Sequence, residues 1–177
     1  MEVFYSKNCF DFAQDPEETI TFLRGLPEGG RILRFIRKIQ FRITVKQLKR
    51  WYVDGLDAQW LALVSFLKTN LDIEKLSIVI NASAAYDLCL WDDDDDSTNR
   101  FVYDVYCSIT DGLLLLRGQL ENLRFELGWF TGLAPLLAKE VIGERYEDPE
   151  VDVEKKDKTH RMYRVPIWYE ERNRGSA

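Results

Sequence analysis

Histidine is almost missing from this chain: His160 is the sole imidazole, so an acid–base pair made of two histidines is excluded. His160 stands in a polar stretch, where it reads as a surface residue and not as a general base. Cysteine is also scarce. Cys9, Cys89 and Cys107 are odd in number and in no metal-ligand spacing, which excludes a disulfide framework and a zinc site and points to a reducing interior, cytoplasm or nucleus. Long apolar runs are lacking too. The stretch Gly112 to Leu116 is far too short to cross a bilayer, so no membrane role is expected. The N-terminal Met1-Glu2-Val3-Phe4-Tyr5 carries an acid where a signal peptide carries positive charge.

The signatures of common chemistries are absent in the same way. There is no glycine-rich phosphate loop, and Ser6, Ser65 and Ser108 sit in no nucleophile-elbow context. Cys9 and Cys107 fall among apolar residues, which suits core packing better than a stabilised thiolate. The acidic run Asp92 to Asp96 lacks the alternating ligands, the turn glycine and the distal glutamate of a calcium loop, and reads as a solvated loop. No cofactor, no metal and no enzymatic activity are expected.

What the chain does have is apolar and aromatic mass. Of its 177 residues 46% are hydrophobic, enough for the core of one compact domain. The net charge of −6 argues against generic binding to nucleic-acid phosphates.

The organising stretch is Ile73 to Asn81. Ile73, Leu76, Ile78 and Asn81 have the spacing of the strand segment of a leucine-rich repeat, and Ile36, Ile39, Phe41, Thr44 and Leu120, Leu123, Phe125, Gly128 fit the same frame. Each is preceded by a similar helix end, giving three copies of a helix followed by a buried strand. A further strand is expected near residues 8 to 12. Asp15-Pro16-Glu17-Glu18 starts a helix, with Asp15 as N-cap and Glu18 completing a capping box. Glu28-Gly29-Gly30 reads as a turn, and Leu33 to Val45 alternates, with Ile39, Phe41, Ile43 and Val45 on one side. The next helix carries Trp60, Leu61, Leu63, Val64, Leu67 and Leu71, and the nearly all-apolar strand Lys75 to Ile80 suits a position covered on both faces.

Residues 81 to 90 suggest a short helix or crossing segment. A helix carrying Val102 to Leu116, a strand from Glu121 to Leu127 and a last helix from Thr131 to Tyr146 complete the body. Strands that alternate with helices are parallel, because the crossovers return each strand to the same end. The expected fold is therefore α/β: a short, irregular leucine-rich-repeat-like stack, mostly parallel sheet, with helices packed on one side. Residues 1–146 form that single domain. Residues 147–177 form a polar tether and tail, docking back near 165–169 through Val165 to Tyr169.

Phe4 to Phe12, Phe22-Leu23, Leu26-Pro27 and Ile36-Arg37-Lys38-Ile39 resemble a large filamentous-fungal family of F-box-like proteins. The resemblance covers roughly residues 4 to 130. It implies an irregular leucine-rich body without catalytic residues, serving as the substrate-recognition half of a ubiquitin ligase adaptor. The F-box-like segment that would dock on a cullin adaptor does not precede Phe4 in this sequence. A cullin adaptor is thus an expected partner only where such a segment lies upstream.

The strongest charge segregation lies in residues 31 to 50, followed by Trp51 and Tyr52. Arg34, Arg37, Lys38, Arg42, Lys46, Lys49, Arg50 and Trp51 are the candidate partner-binding residues. The leading expectation is a non-enzymatic protein-interaction module; the alternative is a nucleic-acid-binding protein that uses this segment, with Arg and Lys for phosphates and aromatics for stacking.

Overall fold

The structure, a computed structural model, describes residues 2–83, 96–128, 131–147, 169 and 171–172. Four strands, β1 (Cys9–Phe12), β2 (Lys38–Arg42), β3 (Ser77–Ala82) and β4 (Asn122–Leu127), form one sheet in the order β1-β2-β3-β4. Every neighbouring pair is parallel. The α/β architecture expected from the strand–helix alternation is what the chain adopts. Helix α1 (Glu2–Lys7) precedes β1, and α2 (Pro16–Arg24), α3 (Val45–Asp54), α4 (Asp57–Asn70) and α5 (Asp96–Leu113) lie between the strands, with α6 (Ala134–Ile142) after β4.

Alternation decides which face is dry. Phe12, Ile39, Phe41, Ile78, Ile80, Ala82, Leu123, Phe125 and Leu127 are buried, and each belongs to the same set of every-second residues. Across that face the rings interlock. Phe12 stacks on Phe41 with centroids 6.0 Å apart, and Phe41 meets the edge of Trp60 of α4 at 5.2 Å. Leu23, Leu63, Val64, Leu67, Val102, Ile109, Leu137 and Val141 complete the core from the helices.

The repeat frame holds in its parity but not in its phase. Ile39 pairs with Ile78 and Ile78 with Leu123, so the first and third copies align as their spacing predicts. The middle copy is displaced by two residues, with Ile78 standing where the frame places Leu76. A shift of two leaves the same face buried, whereas a shift of one would have turned every apolar side chain outward. Leu76, left just before the strand, is fully buried there.

Other expectations need correction. The stretch from Leu33 to Val45 is not one strand: residues Glu28–Phe35 form a 3-10 helix that absorbs the expected glycine turn, and Val45 opens α3. Asp15 does not cap α2 through its side chain; its carboxylate is turned to Arg50 instead. β3 is not covered equally on its two faces, since Ser77, Val79 and Asn81 are only half-buried. The expected segment at 81–90 and the acidic run lie outside the described residues, apart from residues 81–83 and Asp96 at the start of α5. Of the expected docking stretch 165–169, Tyr169 alone is described, and it packs partly buried against the core.

Helix α3 owes its start to a capping box. The Thr44 hydroxyl accepts from the Gln47 backbone N–H, and the Gln47 side-chain oxygen accepts from the Thr44 N–H at 2.9 Å. Gln47 also donates to the Gln14 carbonyl at 2.8 Å, tying α3 to the loop before α2. Gly55 ends the helix in the left-handed region, φ 61°. Thr44→Ala is expected to destabilise the chain by about 1 kcal/mol, read as a lower urea midpoint at unchanged slope.

Candidate interaction surface

The face of the sheet turned away from the core is built by the alternate residues of all four strands. Strand pairing aligns Cys9, Lys38, Ser77 and Asn122 in one row, and Asp11, Gln40, Val79 and Arg124 in the next. Arg42, Asn81 and Glu126 form a third. Every one of these residues is exposed or half-buried. Apart from Val79 and Cys9 they are polar, so the face is wettable without a partner and carries a fixed pattern of donors and acceptors.

Much of that pattern is locked. Arg42 grips both carboxylate oxygens of Asp11 across β1 and β2, with Nε to Oδ1 at 3.3 Å, and this hydrogen-bonded pairing pushes the Arg42 pKa up. Asn81 donates to Glu126 at 2.9 Å, and Arg124 reaches the other oxygen of Glu126 at 3.2 Å. Such exposed pairs hold side chains in place more than they stabilise the fold. Cys9 is exposed on this face and not in the core as its apolar neighbours suggested. Partial burial and then Asp11 raise its thiol pKa, with Lys38 opposing, so the thiolate is disfavoured.

The basic segment does not converge on one surface. Lys38 and Arg42 belong to the open sheet face, Arg34 is exposed on the 3-10 helix before β2, and Lys46 and Lys49 are exposed on α3. Arg37 pairs with Asp72 at 3.4 Å, and Arg50 bridges Asp15 and Asp54, the latter at 2.8 Å. Trp51 is buried, 5% exposed, and its indole N–H donates to Asp57 at 2.8 Å and Ser108 at 3.0 Å. It is thus a core residue that meets solvent only at the wall of a cleft on the helical side. Asp11, Gln40, Asn81, Arg124 and Glu126 were not among the candidates. Their signal was available in the alternation of the strands, once the strands are known to lie side by side.

A cleft of about 440 Å³ opens on the helical side, lined by Trp51, Asp57, Arg100, Phe101, Asp104, Val105 and Ser108. The Ser108 hydroxyl donates to Asp57, the same carboxylate that takes the Trp51 indole. Among the described residues the lining holds no histidine or lysine beside Ser108. Among the described residues no group of three or more His, Cys, Asp or Glu is placed to hold a metal ion. No helix among them is long and apolar enough to cross a membrane.

No family model matches this chain, and no curated protein or solved structure matches it either. The open sheet face and the helical cleft are therefore judged on their own chemistry.

Proposed function

We propose that this chain is a non-enzymatic protein-interaction module that binds a protein partner across the open face of its parallel sheet. One observation carries this reading. All-parallel sheets normally have both faces covered, yet among the described residues this one buries a single face. Stacked strand–helix units that leave the strand side bare use it as an extended binding surface. Lys38 and Gln40 supply directional hydrogen bonds beside the fixed Arg42–Asp11 and Asn81–Glu126–Arg124 groups, and Val79 supplies a central apolar contact.

Within this reading the chain is the recognition body of a ligase adaptor of the F-box-like kind. That narrower assignment rests on the resemblance of Phe4 to Phe12 and Ile36 to Ile39. Nucleic-acid binding through residues 31–50 draws less support, because Trp51 is buried and Arg37, Arg42 and Arg50 are each engaged by carboxylates.

The test compares two substitutions in affinity capture from cell extract. Val79→Glu places a charge at the middle of the open face; the double change Lys46→Glu, Lys49→Glu reverses exposed charge on α3. Loss of the captured partner with the first and retention with the second is the expected result. The converse pattern would move the contact to the basic helix and sink the sheet-face reading.

A further inference from the structure

The cleft where α3, α4 and α5 meet lies on the helical side and has a chemistry that the open sheet face does not use. Arg100, Asp104 and Ser108 recur at every fourth residue of α5 and so stand in one row, with Phe101 and Val105 in the row beside it. Trp51 closes the wall from α3, and Asp57 enters from the first turn of α4. Trp51 and Val105 are buried and Phe101 is half-buried, so this wall is apolar. The volume of about 440 Å³ falls in the roughly 300–1,000 Å³ usual for small-molecule sites.

Asp57 is held as a fixed acceptor. Its Oδ1 takes both the Trp51 indole N–H, at 2.8 Å, and the Ser108 hydroxyl, while its Oδ2 has no hydrogen-bond partner among the described residues. Arg100 and Asp104 stand four residues apart on α5, a spacing at which opposite charges commonly pair. Among the described residues neither makes an ion pair. The cleft thus presents two carboxylates and one guanidinium whose charges are not spent on each other. Their places differ: Arg100 is two helical turns from Ser108, about 12 Å along the axis, whereas Asp57 sits at Ser108 and Asp104 lies between.

We propose that this cleft binds a small organic cation, with an ammonium group held by Asp57 and Asp104 and an apolar body packed against Trp51, Phe101 and Val105. This inference is independent of the sheet-face reading. The two carboxylates offer charge-assisted hydrogen bonds, which are stronger than neutral ones. The Trp51 and Ser108 donors fix the Asp57 carboxylate before a ligand arrives, so little ordering is left to be done on binding. A neutral ligand of the same shape gains the apolar contact alone. An anion finds only Arg100, at the far and exposed end of the cleft, and is repelled by both carboxylates.

The experiment titrates the whole isotope-labelled chain at neutral pH with probes of one shape: phenethylammonium, phenethyl alcohol and phenylpropionate. The reading is the indole N–H resonance of Trp51, identified by its loss in Trp51→Phe. Phenethylammonium is expected to shift that resonance saturably and to bind about ten-fold or more tightly than the alcohol, with phenylpropionate the weakest. Asp57→Asn keeps an oxygen for the Trp51 N–H but drops the charge, and should weaken the ammonium about ten-fold. Asp104→Asn alters an exposed side chain with no ion pair to lose, so it leaves the fold alone, and should weaken the ammonium about two- to five-fold. Glu144→Gln, exposed just after α6, removes the same charge elsewhere and should change nothing. No saturable shift, equal affinity for ammonium and alcohol, tighter binding of phenylpropionate, or the same loss in Glu144→Gln as in Asp57→Asn overturns the proposal.

Discussion

Trp60→Ala is expected to remove most of the stability of this chain. The indole is 2% exposed, meets the Phe41 ring edge-on at 5.2 Å, lies 6.0 Å from Trp51, and donates to the Ile109 carbonyl at 2.9 Å. It therefore joins β2, α3, α4 and α5 at one point. Truncating a buried tryptophan destabilises by about 3–5 kcal/mol through lost transfer energy and the cavity left behind. The Ile109 carbonyl keeps its place in the hydrogen-bond ladder of α5, so the lost indole bond adds only about 0.5–1.5 kcal/mol. Against a typical total of about 5–15 kcal/mol, that is a large share of the stability. Urea unfolding followed by far-UV circular dichroism should show a midpoint lower by about 2 M or more. Trp60→Phe keeps a ring against Phe41 but not the hydrogen bond, and should fall between the two. A midpoint for Trp60→Ala within about 0.5 M of wild type would contradict the packing described here.

Gly128→Ala is the second large effect, and it arises from too little space. A Cβ at Gly128 would stand 2.2 Å from the Ser83 carbonyl oxygen and 2.9 Å from its carbon. These are backbone atoms at the ends of two paired strands, where Gly128 N–H donates to the Ala82 carbonyl at 3.4 Å. No rotamer change relieves such a clash, so the β3–β4 ladder must splay at this end. The expected cost is about 2–3 kcal/mol, the upper part of the usual range for overpacking. Gly118→Ala supplies the contrast. Gly118 has φ +68° with nothing within 4 Å of its Cβ position, so only backbone strain of about 1–2 kcal/mol opposes it. Equal costs at the two sites would mean that the Ser83 approach is not what glycine serves at 128.

Gly128 was also the position at which sequence spacing fitted the third copy of the repeat, and the contrast with Thr44 explains why legibility was uneven. Strands were readable because one face of each is buried: Ile39, Phe41, Ile78, Ile80, Leu123 and Phe125 carry a period of two that survives any register shift of even length. The two-residue phase of β3 was not readable. Leu76 and Ile78 are equally apolar and both are buried, Leu76 just before the strand and Ile78 within it. Helix α3 was hidden by the opposite problem. Val45 continues the alternation of β2, while the signal that breaks it, Thr44 with Gln47 three residues on, is short and local. Charge was the least legible feature of the surface. Arg37, Arg42 and Arg50 form a basic run in the sequence, but their carboxylates, Asp72, Asp11 and Asp15, come from distant positions and neutralise it in space. Trp51, adjacent to that run, went to the core because a helix turns one side of residues 45–54 inward.

The open sheet face is the centre of the functional account, and a site-specific photocrosslinker tests it most directly. The photoreactive residue p-benzoylphenylalanine is placed singly at Val79, Gln40 or Arg124 on the open face. For comparison it is placed at Lys46, Lys49 or Leu61 on the exposed helical side. Each variant is irradiated in extract and its adducts are resolved by mass. Adducts to the same partner from the three sheet positions, and none from the helical ones, are the predicted outcome. Adducts confined to the helical positions, with the sheet positions inert, would contradict it.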